Sequence, residues 1–210
     1  MIGILGGTFD PVHFGHLRPA LEIREALALD HVRFIPNRVP PHRETPWLAV
    51  EQRLALLRTA IDDEPGFVLD DRETRREGRS YMVDTLASLR SDYPDQRLCL
   101  ILGLDAFLGL QSWHDWKRLP SLCHLVVNCR PGFEWPDASS ALLSELPATR
   151  LSGAEELASR TAGGILLQSV TQLAISASDI RARLATSRSV RYLMPDAVWR
   201  QLDEMVTRAC

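Results

Sequence analysis

Lysine is nearly absent from this 210-residue chain: Lys117 stands alone among 24 basic residues, and the rest are arginine. Neither charge dominates. The net charge of −3 supplies no broad basic field for nucleic-acid phosphates. No apolar run approaches the roughly 20 residues that cross a bilayer. Met1-Ile2-Gly3 opens without the charged and apolar stretches of a secretory leader. Cys99, Cys123, Cys129 and Cys210 show no C-x-x-C spacing, which removes the common zinc and redox frameworks; Cys99 and Cys129 sit in apolar runs and read as buried thiols. A G-x-S-x-G element is missing, as are internal repeats and low-complexity tracts. A cytoplasmic protein without nucleic-acid or membrane partners is expected. The arginine excess has two readings, genome base composition or the fit of a planar guanidinium to phosphate oxygens.

Hydrophobic residues make up 45% and charged residues 24% of the chain, as in ordinary globular domains. A single domain spanning 1–210 is expected. Apolar runs at Ile2–Leu5, Val32–Pro36, Phe67–Leu69, Leu98–Leu102, His124–Cys129 and Gly164–Ser169 read as strands. Helical spacing covers Leu17–Leu29, Val50–Ile61 and Ser80–Arg90. Residues Ser178–Leu184 and Pro195–Val206 form a small closing helical part, about 176–210. Prolines 36, 40, 41 and 46 forbid regular structure over Asn37–Trp47, and Glu134–Ser144 is expected to be irregular. Strand–helix alternation of this kind predicts a doubly wound parallel α/β sheet. Its ligands lie beyond the carboxyl ends of the strands.

One such end is Gly6-Gly7-Thr8-Phe9-Asp10-Pro11-Val12-His13-Phe14-Gly15-His16. A strand runs into a glycine-led turn and then a helix start, whose N–H groups favour an anion. His13 and His16, three apart on a helix, share a face and reach the same anion. Packed core histidines or half of a metal site remain alternative readings, although two histidines leave zinc short of ligands. Gly15 lets a ring or a phosphate approach closely. Near the other end, Ser176 and Ser178 precede Asp179-Ile180-Arg181. Ser178 reads as a helix N-cap, or the segment is a second anion site gripped by Arg181. Asp105, just past the Leu98–Leu102 run, is either a surface cap or a ribose acceptor; Trp113 is either packing or a stacking platform.

The first segment resembles the G-G-T/S-F-D-P-x-H-x-G-H signature of the (T/H)-x-G-H nucleotidyltransferase superfamily. Ile175-Ser176-Ala177-Ser178-Asp179-Ile180-Arg181 is similar to that superfamily's I-S-S/A-T-x-I-R block, with serine where threonine is usual. Pro36-Asn37-Arg38-Val39-Pro40-Pro41-His42-Arg43, Asp84-Thr85-Leu86, Gly103-Leu104-Asp105, Trp113-His114 and Cys129-Arg130-Pro131-Gly132 look like the bacterial nicotinate-nucleotide adenylyltransferases within it; Arg43 replaces a common lysine. The resemblance implies a Rossmann-like nucleotidyltransferase fold. It also implies transfer of an adenylyl group from ATP to nicotinate mononucleotide, with Mg²⁺ held mainly by substrate phosphates and water and no protein ligand. It puts His13, His16 and Arg181 in catalysis. Gly6, Gly7, Thr8, Phe9, Gly15, Gly103, Asp105, Arg130, Ile175, Ser176 and Ser178 fall to ATP. Thr85, Trp113, His114, His42 and Arg43 fall to the acceptor, with Thr85 donating to the ring carboxylate.

Overall fold

Apolar runs of three to six residues, separated by helical stretches, can bury both of their faces only in a parallel sheet covered by helices on each side. The computed structural model describes residues 1–39, 45–129, 132 and 141–207. In chain order it contains β1 (Ile2–Gly7), α1 (Phe14–Ala26), β2 (His31–Pro36), α2 (Val50–Ile61), β3 (Phe67–Leu69), α3 (Arg72–Arg75), α4 (Met82–Asp92), β4 (Leu98–Gly103), α5 (Leu104–Leu108), α6 (Leu119–Leu122), β5 (His124–Cys129), α7 (Ala141–Glu145), β6 (Thr149–Arg150), α8 (Ala154–Ala158), β7 (Gly164–Ser169), α9 (Ala177–Ala185) and α10 (Asp196–Thr207). The described strands form one seven-stranded sheet in the order β3-β2-β1-β4-β5-β7-β6. Every pairing is parallel. No helix among the described residues is long and apolar enough to cross a membrane.

Alternation along the strands divides the core in two. In β4, Leu98, Leu100 and Leu102 join one cluster with Ile2, Ile4, Leu86 and Phe107. Cys99 and Ile101 join the other, with Ile23, Phe34, Leu56 and Leu57. The chain winds outward from β1 to β3 and then returns to lay β4 on the other side of β1, so the switch point lies between β1 and β4. There, β1 pairs with β4 only from Ile2–Leu98 to Ile4–Leu100. Beyond Ile4 the two strands part, and the gap between their carboxyl ends is the mouth of the site.

Several boundaries differ from the sequence reading. Helix α1 begins at Phe14 rather than Leu17 because extended His13 (φ −153°, ψ 170°) caps it. Helix α4 begins at Met82 rather than Ser80. Within the stretch expected to be irregular, Ala141–Glu145 is helical, and Leu142 and Leu146 bury against the sheet; residues 133–140 lie outside those described. Asp196–Thr207 closes the fold by burying Val198 and Leu202 beside Leu56 and Leu57, with Thr59 Oγ1 donating to Gln201 Oε1 at 2.8 Å.

Arg53, on the inner face of α2, is fully buried. Its Nη1 donates to the Thr8 carbonyl at 2.8 Å, and its Nη2 donates to the Asn37 carbonyl at 2.9 Å. One planar fork therefore pins the β1–α1 loop to the end of β2, a geometry that lysine's point charge does not reproduce. Arg53→Met is expected to leave both carbonyls without their donor and to cost about 2–5 kcal/mol. Urea unfolding of the variant checks this; a loss below about 1 kcal/mol would show that the fork is dispensable.

Candidate active site

The loop after β1 is held by its own backbone and by three side chains. Phe9 adopts φ 49°, a left-handed conformation rare outside glycine, and its ring is buried against Phe34 at 5.9 Å and the edge of His16 at 5.0 Å. It is thus a packing residue at the loop's base and does not line the cavity. Asp10 is buried. Its two carboxylate oxygens accept from the Trp47 and Leu48 N–H groups at 2.8 and 2.9 Å. Arg181 Nη1 donates to the Asp10 carbonyl at 2.6 Å and lies 3.6 Å from Asp10 Oδ2. A Cβ on Gly15 would sit 2.9 Å from His13 Nδ1 and 2.9 Å from the Ile175 carbonyl. The close approach expected at Gly15 is therefore made by a histidine ring and by the second motif. The two segments meet although some 160 residues separate them in the chain.

The histidine pair is not two helical neighbours. His13 is the extended cap and His16 lies in the first turn; their rings stack with centroids 3.8 Å apart. The His13 N–H donates to His16 Nδ1 at 3.3 Å, which places the neutral His16 ring's hydrogen on Nε2. His16 lines the cavity. His13 lies behind it, 4% exposed, and burial lowers its pKa to about 4. It is a neutral imidazole across the physiological range.

The gap between β1 and β4 opens into a cavity of about 610 Å³. Gly6, Gly7, Thr8, Gly15 and His16 line one end, Gly103 and Asp105 the β4 side, and Trp113 and His114 the other end. Asp105 is exposed and lies in the first turn of α5. The His114 ring stacks on Tyr81, centroids 4.3 Å apart, and Trp113 is half-buried. Thr85 is placed differently from the sequence expectation. It is fully buried and does not line the cavity; its hydroxyl donates to Glu73 Oε1 at 2.5 Å. Glu73 is the group on the wall. In α9 the cap is Ser176, whose Oγ accepts from the Asp179 N–H at 3.1 Å. Ser178 lies inside the helix and accepts from Arg181 Nη2 at 3.4 Å, so the N-cap assigned to Ser178 moves two residues upstream. Ile175 and Arg181 abut the β1–α1 loop, and none of Ile175, Ser176, Ser178 and Arg181 lines the cavity. His42, Arg43 and Arg130 lie outside the described residues. Among the described residues no three His, Cys, Asp or Glu side chains converge on a metal position.

Among the residues that hold or line the site and escaped the sequence reading, three matter most. Asp10 stands inside the first motif, and only its burial reveals its work. Arg53 falls one turn before Leu56 and Leu57 on the apolar face of α2, a position where an arginine signals buried partners. Glu73 sits in a charged run, Asp70-Asp71-Arg72-Glu73-Thr74-Arg75-Arg76, that reads as solvated surface.

A cytidylyltransferase-like family profile matches residues 4–183. A Halorhodospira halophila protein named "Probable nicotinate-nucleotide adenylyltransferase" is 50% identical over 97% of this chain and 93% of its own length. A Chromohalobacter salexigens protein of the same name is 52% identical over 96% of this chain and 92% of its own. Among solved structures, Plasmodium falciparum nicotinic acid mononucleotide adenylyltransferase complexed with NaAD aligns with a TM-score of 0.75 over 97% of this chain and 95% of that one. At 16% identity, that likeness speaks to the fold.

The depressed pKa of His13 has a consequence for stability. An unfolded histidine titrates near 6.5 and the folded one at about 4, so on acidification the unfolded chain binds the proton first. Stability from the neutral ring is complete above about pH 6.5 and is lost progressively toward pH 4. Between pH 7 and 5 the native protein is expected to lose up to about 2 kcal/mol through this residue. His13→Gln is expected to lose less over the same interval. Equal losses by native protein and variant in urea unfolding between the two pH values would place an ordinary imidazole at position 13.

Proposed function

The chain belongs to the cytidylyltransferase-like family, and on that footing we propose that it transfers the adenylyl group of ATP to nicotinate mononucleotide, a step of NAD biosynthesis. The products are nicotinate adenine dinucleotide and pyrophosphate. The observation that carries this reading is the meeting of the two phosphate-type motifs, Gly15 against Ile175 and Asp10 against Arg181, beside one cavity whose far end is aromatic. The triphosphate lies along Gly6, Gly7, Thr8, Gly15 and His16, with Ile175, Ser176, Ser178 and Arg181 behind the loop. Gly103 and Asp105 take the adenosine side, and Trp113 and His114 face the pyridine ring. Phe9 and His13 act from beneath, by holding His16. Arg130, His42 and Arg43 complete the reading on the strength of the resemblance.

The acceptor's 5′-phosphate oxygen forms a bond to the α-phosphorus of ATP as the bond from that phosphorus to pyrophosphate breaks. A phosphomonoester is already mostly dianionic near neutrality, its second pKa being about 6, so no side-chain nucleophile or strong base is needed. The protein aligns two anions and stabilises charge on the departing oxygens. The Nε2–H of His16 serves that end at the cavity wall, and the Arg181 guanidinium adds positive potential from behind the loop. A Mg²⁺ arriving with ATP would neutralise phosphate charge while held by phosphate and water oxygens. We read residues 1–210 as one domain working in the cytoplasm.

The test is pyrophosphate release from ATP and Mg²⁺ with a panel of acceptors: nicotinate mononucleotide, its amide counterpart, and phosphopantetheine. Fastest turnover with a pyridine nucleotide is expected; preference for phosphopantetheine overturns the assignment. His16→Ala is expected to lower kcat by more than about 100-fold, the scale of losing one charge-stabilising donor. Near-normal turnover in that variant would remove His16 from the chemistry.

A further inference from the structure

At the aromatic end of the cavity stands a carboxyl group that the reaction does not use. Glu73 is 3% exposed yet lines the cavity beside Ser80, Tyr81, Trp113 and His114. One of its oxygens, Oε1, accepts from the Thr85 hydroxyl at 2.5 Å. That hydroxyl oxygen in turn accepts from Arg76 Nη2 at 3.3 Å. The backbone beneath is fixed: Asp70 at the end of β3 takes Arg33 Nη1 at 3.1 Å and Arg72 Nε at 2.9 Å, which seats α3 and points Glu73 inward.

A carboxylate ligand arriving here meets a second carboxyl that is itself shielded from solvent, and two such groups in contact cannot both be ionised without a large penalty. An amide ligand meets the opposite situation, since its NH₂ is satisfied by an ionised Glu73. Resting on the acceptor reading above, we propose that Glu73 sets acceptor specificity by its protonation state: as an acid it shares its hydrogen with the substrate's ring carboxylate, and as an anion it repels that carboxylate and accepts from an amide. Thr85 then holds Oε1, with Arg76 donating to the Thr85 hydroxyl oxygen behind it, and the other oxygen carries the proton. The charged groups facing Glu73 are few. Arg76 lies just beyond α3 and favours the anion, Asp70 disfavours it, and Asp70's charge is itself met by Arg33 and Arg72. Ser80, from the loop between α3 and α4, lowers the carboxyl pKa, and His114 also lines the cavity. Burial outweighs these and holds the carboxyl above its ordinary range.

Binding of the acid nucleotide should therefore take up a proton that binding of the amide does not. Calorimetry with the full chain, nicotinate mononucleotide or its amide counterpart, and buffers of different ionisation enthalpy measures this between pH 7.5 and 9, where the substrate phosphate is already dianionic because its second pKa is about 6. Net proton uptake with the acid, and Kd weakening toward about tenfold per pH unit, are expected; the amide Kd should stay flat or tighten. Glu73→Gln keeps a neutral donor, so its Kd for the acid should be independent of pH while ATP affinity is unchanged. The same slope in native and variant protein, or no proton uptake by the native protein, overturns the proposal. If the variant does not fold, the native uptake measurement decides alone. Failure of the acceptor reading is separate, since it appears as absent turnover with either pyridine nucleotide.

Discussion

Asp10 and Arg53 are buried charges of opposite sign, near enough that each steadies the other, and the reactive loop hangs between them. Asp10 gathers the Trp47 and Leu48 amides, so the segment entering α2 is fixed to the loop that enters α1. Arg53 reaches back from α2 to the Thr8 and Asn37 carbonyls and closes the ring from the other side. Burial pushes the Arg53 guanidinium below its ordinary range, while Asp10 and Glu51 oppose that shift. The positive φ of Phe9 is tolerable within this frame, which over-determines the loop. Everything at the mouth of the cavity inherits its position from these contacts.

Joining two polyanions is the energetic difficulty of the proposed reaction: like charges 4 Å apart repel by about 4 kcal/mol per unit pair at an effective dielectric of 20. The site meets it with rigid donors more than with permanent charge. His13 is neutral by burial, and its backbone N–H fixes which nitrogen of His16 carries a hydrogen. A donor oriented in advance needs no reorganisation when charge develops. A charged His13, 4% exposed, would itself need solvating and would weaken the loop it belongs to.

The order of elements was legible because continuous apolar runs and helical spacing are strong local signals; α2, β3, β5 and β7 were read to the residue. The helices Arg72–Arg75 and Ala141–Glu145 were not, since four or five residues contain too little periodicity and their boundaries are set by Asp70 and by buried Leu142 and Leu146. The loop end of the cavity was legible because glycines and histidines crowd into eleven consecutive residues. The opposite wall was legible only in part: Trp113 and His114 stand in a motif, whereas Glu73 and Tyr81 reach them only through the packing of α3, α4 and the turns after α5. Thr85 shows the limit directly. The resemblance implied a donor facing the ligand, while the register of α4 turns it inward to Glu73, a choice that no local pattern encodes.

The arginine bias also finds a physical use. Arg90 donates to the Gln96 and Leu122 carbonyls at 2.6 and 2.7 Å, Arg53 to Thr8 and Asn37, and Arg33 and Arg72 converge on Asp70. In each case a planar group satisfies two or more acceptors that an ammonium would meet singly, so these guanidinium groups serve the fold, whatever favoured their codons. Arg181 differs in degree. Its shortest contact is to a carbonyl, at 2.6 Å, and the Asp10 carboxylate lies farther off at 3.6 Å with both oxygens engaged by amides. About a third of its side chain remains exposed. Its charge is therefore anchored without being cancelled at short range, which is the condition a cation must meet if it is to hold a fixed position and still attract a departing phosphate.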